Sequence, residues 1–164
     1  MVPVTEPDHK KKKAIYLPDP AVIREDKSTT KVRIVFDTSC KYDDGISLND
    51  QLMTRPTLQP ELCHLIMRWR QYPVCLVADI VKMYRMGRVA NEDTDFQRIV
   101  WRENAGNEIR DYKLLTVTFG TASAPYLAVK ALNHVACDHR EQYPIAAPRV
   151  HQEFYMDDLM TGCN

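Results

Sequence analysis

Hydrophobic positions along the chain follow two different periods, and their succession predicts a mixed α+β domain. The spacing of apolar residues over 61–72 is helical and predicts a helix of about three turns that ends before Pro73. A continuous apolar run from Val74 to Ala78 then predicts a buried central strand that terminates in Asp79. Residues 126–141 are rich in alanine and leucine, and they predict the longest helix of the chain.

Shorter segments show the alternation of strands or the composition of turns. Residues 32–36 form a β-rich run, and residues 96–101 and 112–118 predict an antiparallel pair. Other segments are rich in proline, glycine, asparagine or aspartate and predict turns or irregular chain: residues 42–60, 91–95 and 143–148.

The N-terminal segment is polar and ends in a run of lysines, Lys10 to Lys13. This composition predicts a basic, disordered tail over residues 1–13, with a phosphate-contacting or nuclear-targeting arm as the alternative. A second basic segment precedes the strand at 32–36: residues 27–31 predict a polar loop, and Arg33 follows it. Lysines, hydroxyl groups and Arg33 around one hairpin would suit a phosphate group, although basic hairpins are common.

Two adjacent aspartates, Asp157 and Asp158, lie between apolar pairs and predict the tip of a β-hairpin. Like charges side by side repel, and a divalent cation such as Mg²⁺ would relieve this repulsion because it prefers hard oxygen ligands. The alternative is a solvated turn. Asp79 is open to two similar interpretations, a cap of the next turn or a metal ligand. If two strands brought Asp79 beside Asp157, their carboxylates could bridge two metal ions, as two-metal phosphoryl transfer requires.

Residues 118–125 form a loop of small residues that leads into the long predicted helix, with Pro125 near its first turn. Such a loop lets a ligand approach the backbone closely, near the positive end of the helix dipole. A plain tight connection is the alternative.

Composition limits these functions only in part. Lys plus Arg equals Asp plus Glu at 22 each, so the net charge predicts no polyanionic partner and any nucleic-acid contact would have to be local. The five cysteines form no CxxC pair, which indicates reduced thiols in the cytoplasm rather than a disulfide framework or a zinc site. No apolar run approaches membrane-spanning length, and the N-terminus lacks the core of a signal peptide.

The order of four motifs resembles the reverse transcriptase of LTR retrotransposons, most closely the BEL/Pao type, over residues 16–164. Tyr155-Met156-Asp157-Asp158 is similar to the YxDD box of that family, and Ala78-Asp79-Ile80 with Lys82-Met83-Tyr84 is similar to its preceding metal-binding motif. Residues 116–126 are similar to the motif that contacts dNTP and template, and residues 31–37 with 47–50 are similar to the fingers segment.

The resemblance implies a role for individual residues. Catalytic and metal-binding roles fall on Asp79, Asp157, Asp158 and the carbonyl of Ile80. Tyr84 would lie under the incoming sugar and exclude a 2′-hydroxyl, and Arg33, assisted by Lys27, would reach the triphosphate. Other residues implied to border the substrate are Ile80, Phe119, Gly120, Tyr155 and Met156.

The implied architecture is an α+β arrangement of fingers (residues 14–58 and 91–124) and a partial palm (59–90 and 125–164), with an antiparallel palm sheet backed by helices. The chain departs from the family pattern at Val81 and Met86, where an acidic residue and glutamine are common. It also ends before the family's thumb, so the isolated chain is expected to bind template-primer weakly and to extend it little or not at all.

The implied function is RNA-directed DNA polymerisation, a nucleotidyl transfer from dNTP to a primer 3′-hydroxyl with two Mg²⁺ ions, for which Mn²⁺ could substitute. The implied partners are an RNA or DNA template with its primer, dNTPs and the remaining domains of a retroelement polyprotein, in a virus-like particle for the intact element. A non-catalytic remnant that binds nucleic acid or a partner protein is the alternative. A different two-metal enzyme, such as a nuclease or cyclase, is disfavoured by Tyr84 and the loop at 118–125.

Overall fold

The structure, a computed structural model, describes residues 1–5, 14–26 and 32–163, and it is a mixed α+β fold with antiparallel sheets. The chain divides into two compact units. The first unit comprises residues 1–53 and 88–124, and the second comprises residues 54–87 and 125–164. The sequence-based boundaries lay at 58/59, 90/91 and 124/125. None of the helices in the described part of the chain combines the length and the apolar character needed to cross a bilayer.

The first unit contains two small sheets. Strands β1 (Val2–Pro3), β5 (Arg98–Trp101) and β6 (Arg110–Lys113) form an antiparallel sheet in the order β1-β6-β5. Strands β2 (Ala21–Ile23) and β3 (Val32–Ile34) form a separate antiparallel pair. The predicted pairing of residues 96–101 with 112–118 is confirmed, although β6 ends at Lys113 and residues 114–118 continue outside the strand.

The prediction that residues 1–13 form a disordered tail is wrong for residues 2–4. Val2 pairs with Lys113 and Pro3 with Tyr112, and the N–H of Val4 donates to the carbonyl of Asp111 at 2.9 Å. The edge of β6 supplies these partners, and a pattern within residues 1–13 cannot reveal them. Residues 6–13, including the run of lysines, lie outside the described residues.

The core of the first unit is an apolar cluster of Leu17, Leu48 and Ile99. Arg98, the residue before Ile99, belongs to a cluster of charged side chains. Arg98, with 1% of its surface exposed, donates to Asp95 at 2.7 Å, and Lys113 contacts the same carboxylate at 3.0 Å. Because two cations contact one buried carboxylate, the negative charge of Asp95 is compensated where water is excluded.

Two short helical segments replace turns that the composition predicts in the first unit. Helix α1 (Leu48–Gln51) begins with a capping box, in which Ser47 and Asp50 bond to each other's backbone N–H. This helix corrects the prediction of irregular chain over residues 42–60. Residues Asn91–Phe96 form a 3₁₀ helix where a turn is predicted.

The second unit has one antiparallel sheet in the order β4-β8-β7. Its strands are β4 (Val74–Asp79), β7 (Phe154–Tyr155) and β8 (Asp158–Cys163). Helices α2 (Leu62–Trp69) and α4 (Ala146–Glu153) pack on β7 and β8. Gly162 in β8 is required by the close approach of the segment between α2 and β4, because a Cβ there would lie 2.5 Å from the carbonyl oxygen of Val74 and would overlap the side chain of Tyr72.

Strand β4 forms as predicted, but the prediction that it is buried and central is wrong. It lies at the edge of the sheet, and β8 takes the central place. Its apolar side chains are exposed, with Val77 at 61%. The helices of the unit pack mainly on β7 and β8, so an apolar run has formed a strand without a covering layer among the described residues.

The predicted long helix over residues 126–141 is confirmed as α3 (Ala124–Asp138), which ends three residues before the predicted end. It packs through Ala128 and Val129 on Met83 of a 3₁₀ helix (Met83–Met86) that follows β4. Helix α4 corrects the prediction of a connector over residues 143–148. Pro148 is its third residue, and a proline is tolerated there because the first N–H groups of a helix have no intrahelical partner.

Candidate active site

The acidic pair lies where the sequence predicts, at the tip of a hairpin. Strands β7 and β8 are joined by the two residues Met156 and Asp157, and Tyr155 pairs with Asp158. Met156 has a φ of 55°, the left-handed conformation that tight hairpin turns require. Its N–H donates to Oε1 of Gln59 at 2.9 Å, and its side chain packs against the cluster formed by Met83, α3 and their neighbours. These two contacts hold a non-glycine residue in a conformation that costs it about 1 kcal/mol.

Asp79 lies directly opposite Asp158 in the register of β4 and β8. One residue further along, the N–H of Ile80 donates to the carbonyl of Asp157 at 2.8 Å. The sheet therefore brings Asp79, Asp157 and Asp158 to one end of the second unit. Residues paired across antiparallel strands share a face of the sheet, so the carboxylates of Asp79 and Asp158 lie on the same side.

In the part of the chain that the structure describes, no basic side chain pairs with this acidic group. The carboxylates of Asp79, Asp157 and Asp158 make no side-chain hydrogen bond and no salt bridge there. Asp157 is half-buried, while Asp79 and Asp158 are exposed. Like charges directly opposite each other in a sheet are destabilising, so this end of the sheet would gain from a bound cation.

The donor set fits Mg²⁺ in chemistry, since it consists of carboxylate oxygens and Mg²⁺ is held by one or two carboxylates together with water and phosphate. The three carboxylates do not form a closed cage, because in the described chain the one group of three donors within 4.8 Å of one another is Glu61, Cys63 and His64. That group contains sulfur and nitrogen, which favour Zn²⁺ over Mg²⁺. The exposed side chains of Asp79 and Asp158 have room to turn toward a shared ion.

The carbonyl of Ile80, the fourth ligand that the resemblance implies, already accepts a hydrogen bond from the N–H of Met83 at 3.1 Å. A carbonyl oxygen has two lone pairs, so one remains for a further ligand.

Tyr84 lies beside the acidic group and in the apolar cluster of Met83, Ala128 and Val129. The chain reaches it through Lys82, whose φ of 57° turns the backbone sharply after β4. Burial and the negative charge of Asp157 raise the pKa of Tyr84 above its usual value, so its hydroxyl stays protonated in neutral solution. The contact of this ring with a sugar stays a prediction.

The remaining predicted site residues belong to the first unit or lie outside the described chain. Arg33 is exposed on β3, where it pairs with Val22. Lys27 falls in the segment 27–31, which lies outside the described residues. The hairpin that carries Arg33 is confirmed as β2–β3, and its phosphate contact stays a prediction.

Phe119 and Gly120 lie in the segment that precedes α3, here called the Gly120 loop (residues 118–124). The ring of Phe119 packs on Phe36 with centroids 5.1 Å apart. Gly120 has a φ of 97°, and a Cβ there would lie 2.8 Å from the carbonyl oxygen of Phe36, so no other residue fits without a shift of the backbone. The loop is thus a close-packed element of the first unit.

Several residues that support these segments carried no role in the sequence-based prediction. Thr38 Oγ1 and Asn49 Nδ2 both donate to the carbonyl of Gly120, and Gln59 supports Met156. Their partners are backbone groups far away in sequence, which composition and periodicity cannot indicate. The capping pattern around Ser47 and Asp50 was the one available signal, since it places Asn49 on a helix.

Compared with known proteins, the chain matches no protein-family model and no curated protein sequence.

Proposed function

We propose that the chain is the catalytic core of an RNA-directed DNA polymerase of a retroelement. The observation that supports this proposal best is the convergence of Asp79, Asp157 and Asp158 at one end of the β4-β8-β7 sheet without any basic partner among the described residues. Asp79 and Asp158 are like charges directly opposite each other in the sheet, which is unfavourable, and carboxylates at one end of a sheet are what a nucleotidyl-transfer site needs to hold divalent cations. The motifs of the sequence resemble such a site in the same residues.

In this proposal Asp79 and Asp157 hold two Mg²⁺ ions, with Asp158 and the carbonyl of Ile80 as further ligands. The ions supply charge stabilisation for the attacking primer oxygen and the departing pyrophosphate. The backbone bond between Ile80 and Asp157 fixes the spacing of the two ligand-bearing segments. Tyr84 presents an uncharged aromatic ring beside them, suited to contact with a sugar.

The resemblance assigns substrate contacts to Arg33, Phe119 and Gly120. Arg33 is exposed on β3 and is proposed to contact a triphosphate, and Phe119 with Gly120 is proposed to border the nascent base pair. The proposed partners are a template with its primer, dNTPs and the other domains of the retroelement polyprotein, and the proposed setting is the cytoplasm.

The proposal is tested by single-nucleotide addition with the purified chain in excess over a primed RNA template, at low salt and with Mg²⁺ or Mn²⁺. We expect slow addition of one complementary deoxynucleotide, and loss of that addition in Asp79→Asn and Asp157→Asn. Asp43→Asn is the matched control, because Asp43 is an exposed aspartate of the first unit. Manganese binding, followed by electron paramagnetic resonance, should be lost in the same two variants.

Two outcomes would contradict the proposal. If the two variants bind Mn²⁺ as tightly as the unsubstituted chain, the aspartates are not the metal ligands. If template-primer binds but the unsubstituted chain binds no Mn²⁺ and adds no nucleotide, a non-catalytic remnant that binds nucleic acid becomes the better interpretation.

A further inference from the structure

The side-chain amide of Asn49 bonds to two peptide groups of the Gly120 loop. Its Nδ2 donates to the carbonyl of Gly120 at 3.1 Å, and its Oδ1 accepts the N–H of Ala122 at 2.8 Å. A planar amide with one donor and one acceptor engaged holds the two peptide groups at a fixed separation, as a neighbouring strand does in a sheet.

Asn49 is itself fixed by its surroundings in the first unit. It belongs to α1, whose start is closed by the capping box of Ser47 and Asp50. Its backbone N–H donates to the carbonyl of Thr38 at 3.1 Å, and Nδ2 also donates to Oγ of Ser39 at 2.9 Å. A constrained backbone and a fully used amide NH₂ leave this side chain little freedom, so it can restrain the loop effectively.

Thr38 completes the restraint from a second direction. Its Oγ1 donates to the same carbonyl of Gly120, so both lone pairs of that oxygen are used. The carbonyl is therefore not available to a ligand. What the hydrogen bonds determine instead is the course of the backbone next to Phe119, at the residues proposed to border the nascent base pair.

We propose that Asn49 is a positioning residue for the nucleotide: it holds the Gly120 loop in the conformation that contacts the incoming dNTP. This inference rests on the proposed function, since it assigns the loop a substrate. Asn49 does not touch the nucleotide in this proposal and acts through Gly120 and Ala122.

The restraint of the Gly120 loop by Asn49 can be measured by amide hydrogen exchange of Ala122, which does not require nucleotide addition. Asn49→Ala removes the acceptor of this N–H, and we expect its exchange to accelerate about fivefold, as the loss of one hydrogen bond predicts. Ser39→Ala is the matched control, since it removes a partner of Asn49 that is not in the loop. Unchanged exchange in Asn49→Ala would overturn the restraint.

The substrate role is measured by fluorescence titration of mant-dATP in the presence of Mg²⁺ and by single-nucleotide addition. We expect Asn49→Ala and Thr38→Val to raise the Kd and the KM for the nucleotide about fivefold while kcat changes less than twofold. Partial unfolding would give the opposite pattern, because it lowers the apparent kcat by reducing the active fraction and leaves KM unchanged.

The two proposals fail in different ways. If the unsubstituted chain neither binds mant-dATP nor adds a nucleotide, the proposed function fails and the substrate role of Asn49 fails with it. If the unsubstituted chain binds and reacts but Asn49→Ala has the same KM despite faster exchange of Ala122, the positioning role alone is overturned.

Discussion

The backbone N–H of Ile80 donates to the backbone carbonyl of Asp157 across 2.8 Å, so main-chain groups and not carboxylates join the end of β4 to the acidic turn. Because the carboxylates of Asp79, Asp157 and Asp158 have no side-chain partner among the described residues, their replacement should leave the sheet intact. Their charge can therefore be changed without changing the fold, which makes the acidic group accessible to experiment.

The first prediction concerns stability. Asp158→Asn removes a like charge directly opposite Asp79, and without divalent cations it should raise the free energy of unfolding by about 0.5 kcal/mol. With millimolar Mg²⁺ the unsubstituted chain should gain more stability than the variant, since a ligand that binds only the folded state stabilises it. Urea unfolding with and without Mg²⁺ measures both effects. Equal responses to Mg²⁺ in the two proteins would show that no ion binds at this end of the sheet.

The second prediction concerns sugar selection. Tyr84→Ala should raise the efficiency of ribonucleotide insertion relative to deoxyribonucleotide insertion, because the ring that would collide with a 2′-hydroxyl is gone. Tyr84→Phe keeps the ring and should keep the selectivity. The ratio of kcat/KM for the two sugars is the measurement. A proportional loss for both sugars in Tyr84→Ala would mean that the ring serves packing with Met83 and Ala128 instead.

The third prediction uses the raised pKa of Tyr84. Below a pH of about 10 the tyrosine is protonated in both the folded and the unfolded chain, and its contribution to stability is fully present. Above that pH the unfolded chain releases the proton more readily than the folded chain, so stability falls as the pH rises toward the folded pKa. Stability measured from pH 8 to pH 11 should therefore fall more steeply in the unsubstituted chain than in Tyr84→Phe. Parallel curves would contradict the burial of this hydroxyl beside Asp157.

The fourth prediction concerns Gly162 in the centre of the sheet. Gly162→Ala places a Cβ against Tyr72 and 2.5 Å from the carbonyl oxygen of Val74, and it should lower the free energy of unfolding by about 2 kcal/mol. Gly106→Ala is the matched control, because a Cβ there meets no atom within 4 Å. Chemical denaturation compares the two. If both substitutions are neutral, β8 does not pack on Tyr72 as described.

The fifth prediction concerns the exposed edge strand β4. Apart from Asp79 at its end, β4 is apolar, and an apolar edge strand is a template for pairing with other chains, so the protein should self-associate at micromolar concentration. Val77→Lys should reduce this association, while Ile109→Lys, at an equally exposed apolar position of the first unit, should not. Sedimentation or light scattering measures the effect. Equal reduction by both substitutions would point to net charge and not to β4.

Local patterns were sufficient for the elements that carry the candidate site. The strand before Asp79, the hairpin around Asp157 and the long helix after Pro125 each have a contiguous signal, and each is present in the structure. The sequence patterns alone did not predict that Asp79 and Asp158 are adjacent, because the pairing of two distant strands cannot be inferred from the pattern of either strand.

The predictions that needed correction depended on tertiary surroundings. The apolar run of β4 indicated burial, yet burial depends on what packs over a strand, and the helices cover β7 and β8 instead. Pro148 suggested a connector, but a proline in the first turn is compatible with a helix. The restraint of Gly120 by Asn49 was not predictable, since one side chain bonds to a backbone about 70 residues away.

The position of β4 in the chain has a consequence for folding. Its one hydrogen-bonded neighbour among the described strands, β8, begins about 80 residues later, after the whole first unit has been completed in sequence. Closing so long a loop is slow, and during synthesis the apolar strand β4 would stay unpaired until β8 had been added. The order in which the protein is made therefore leaves the Asp79 segment exposed to chaperones and to misassembly for longer than any other strand of its sheet.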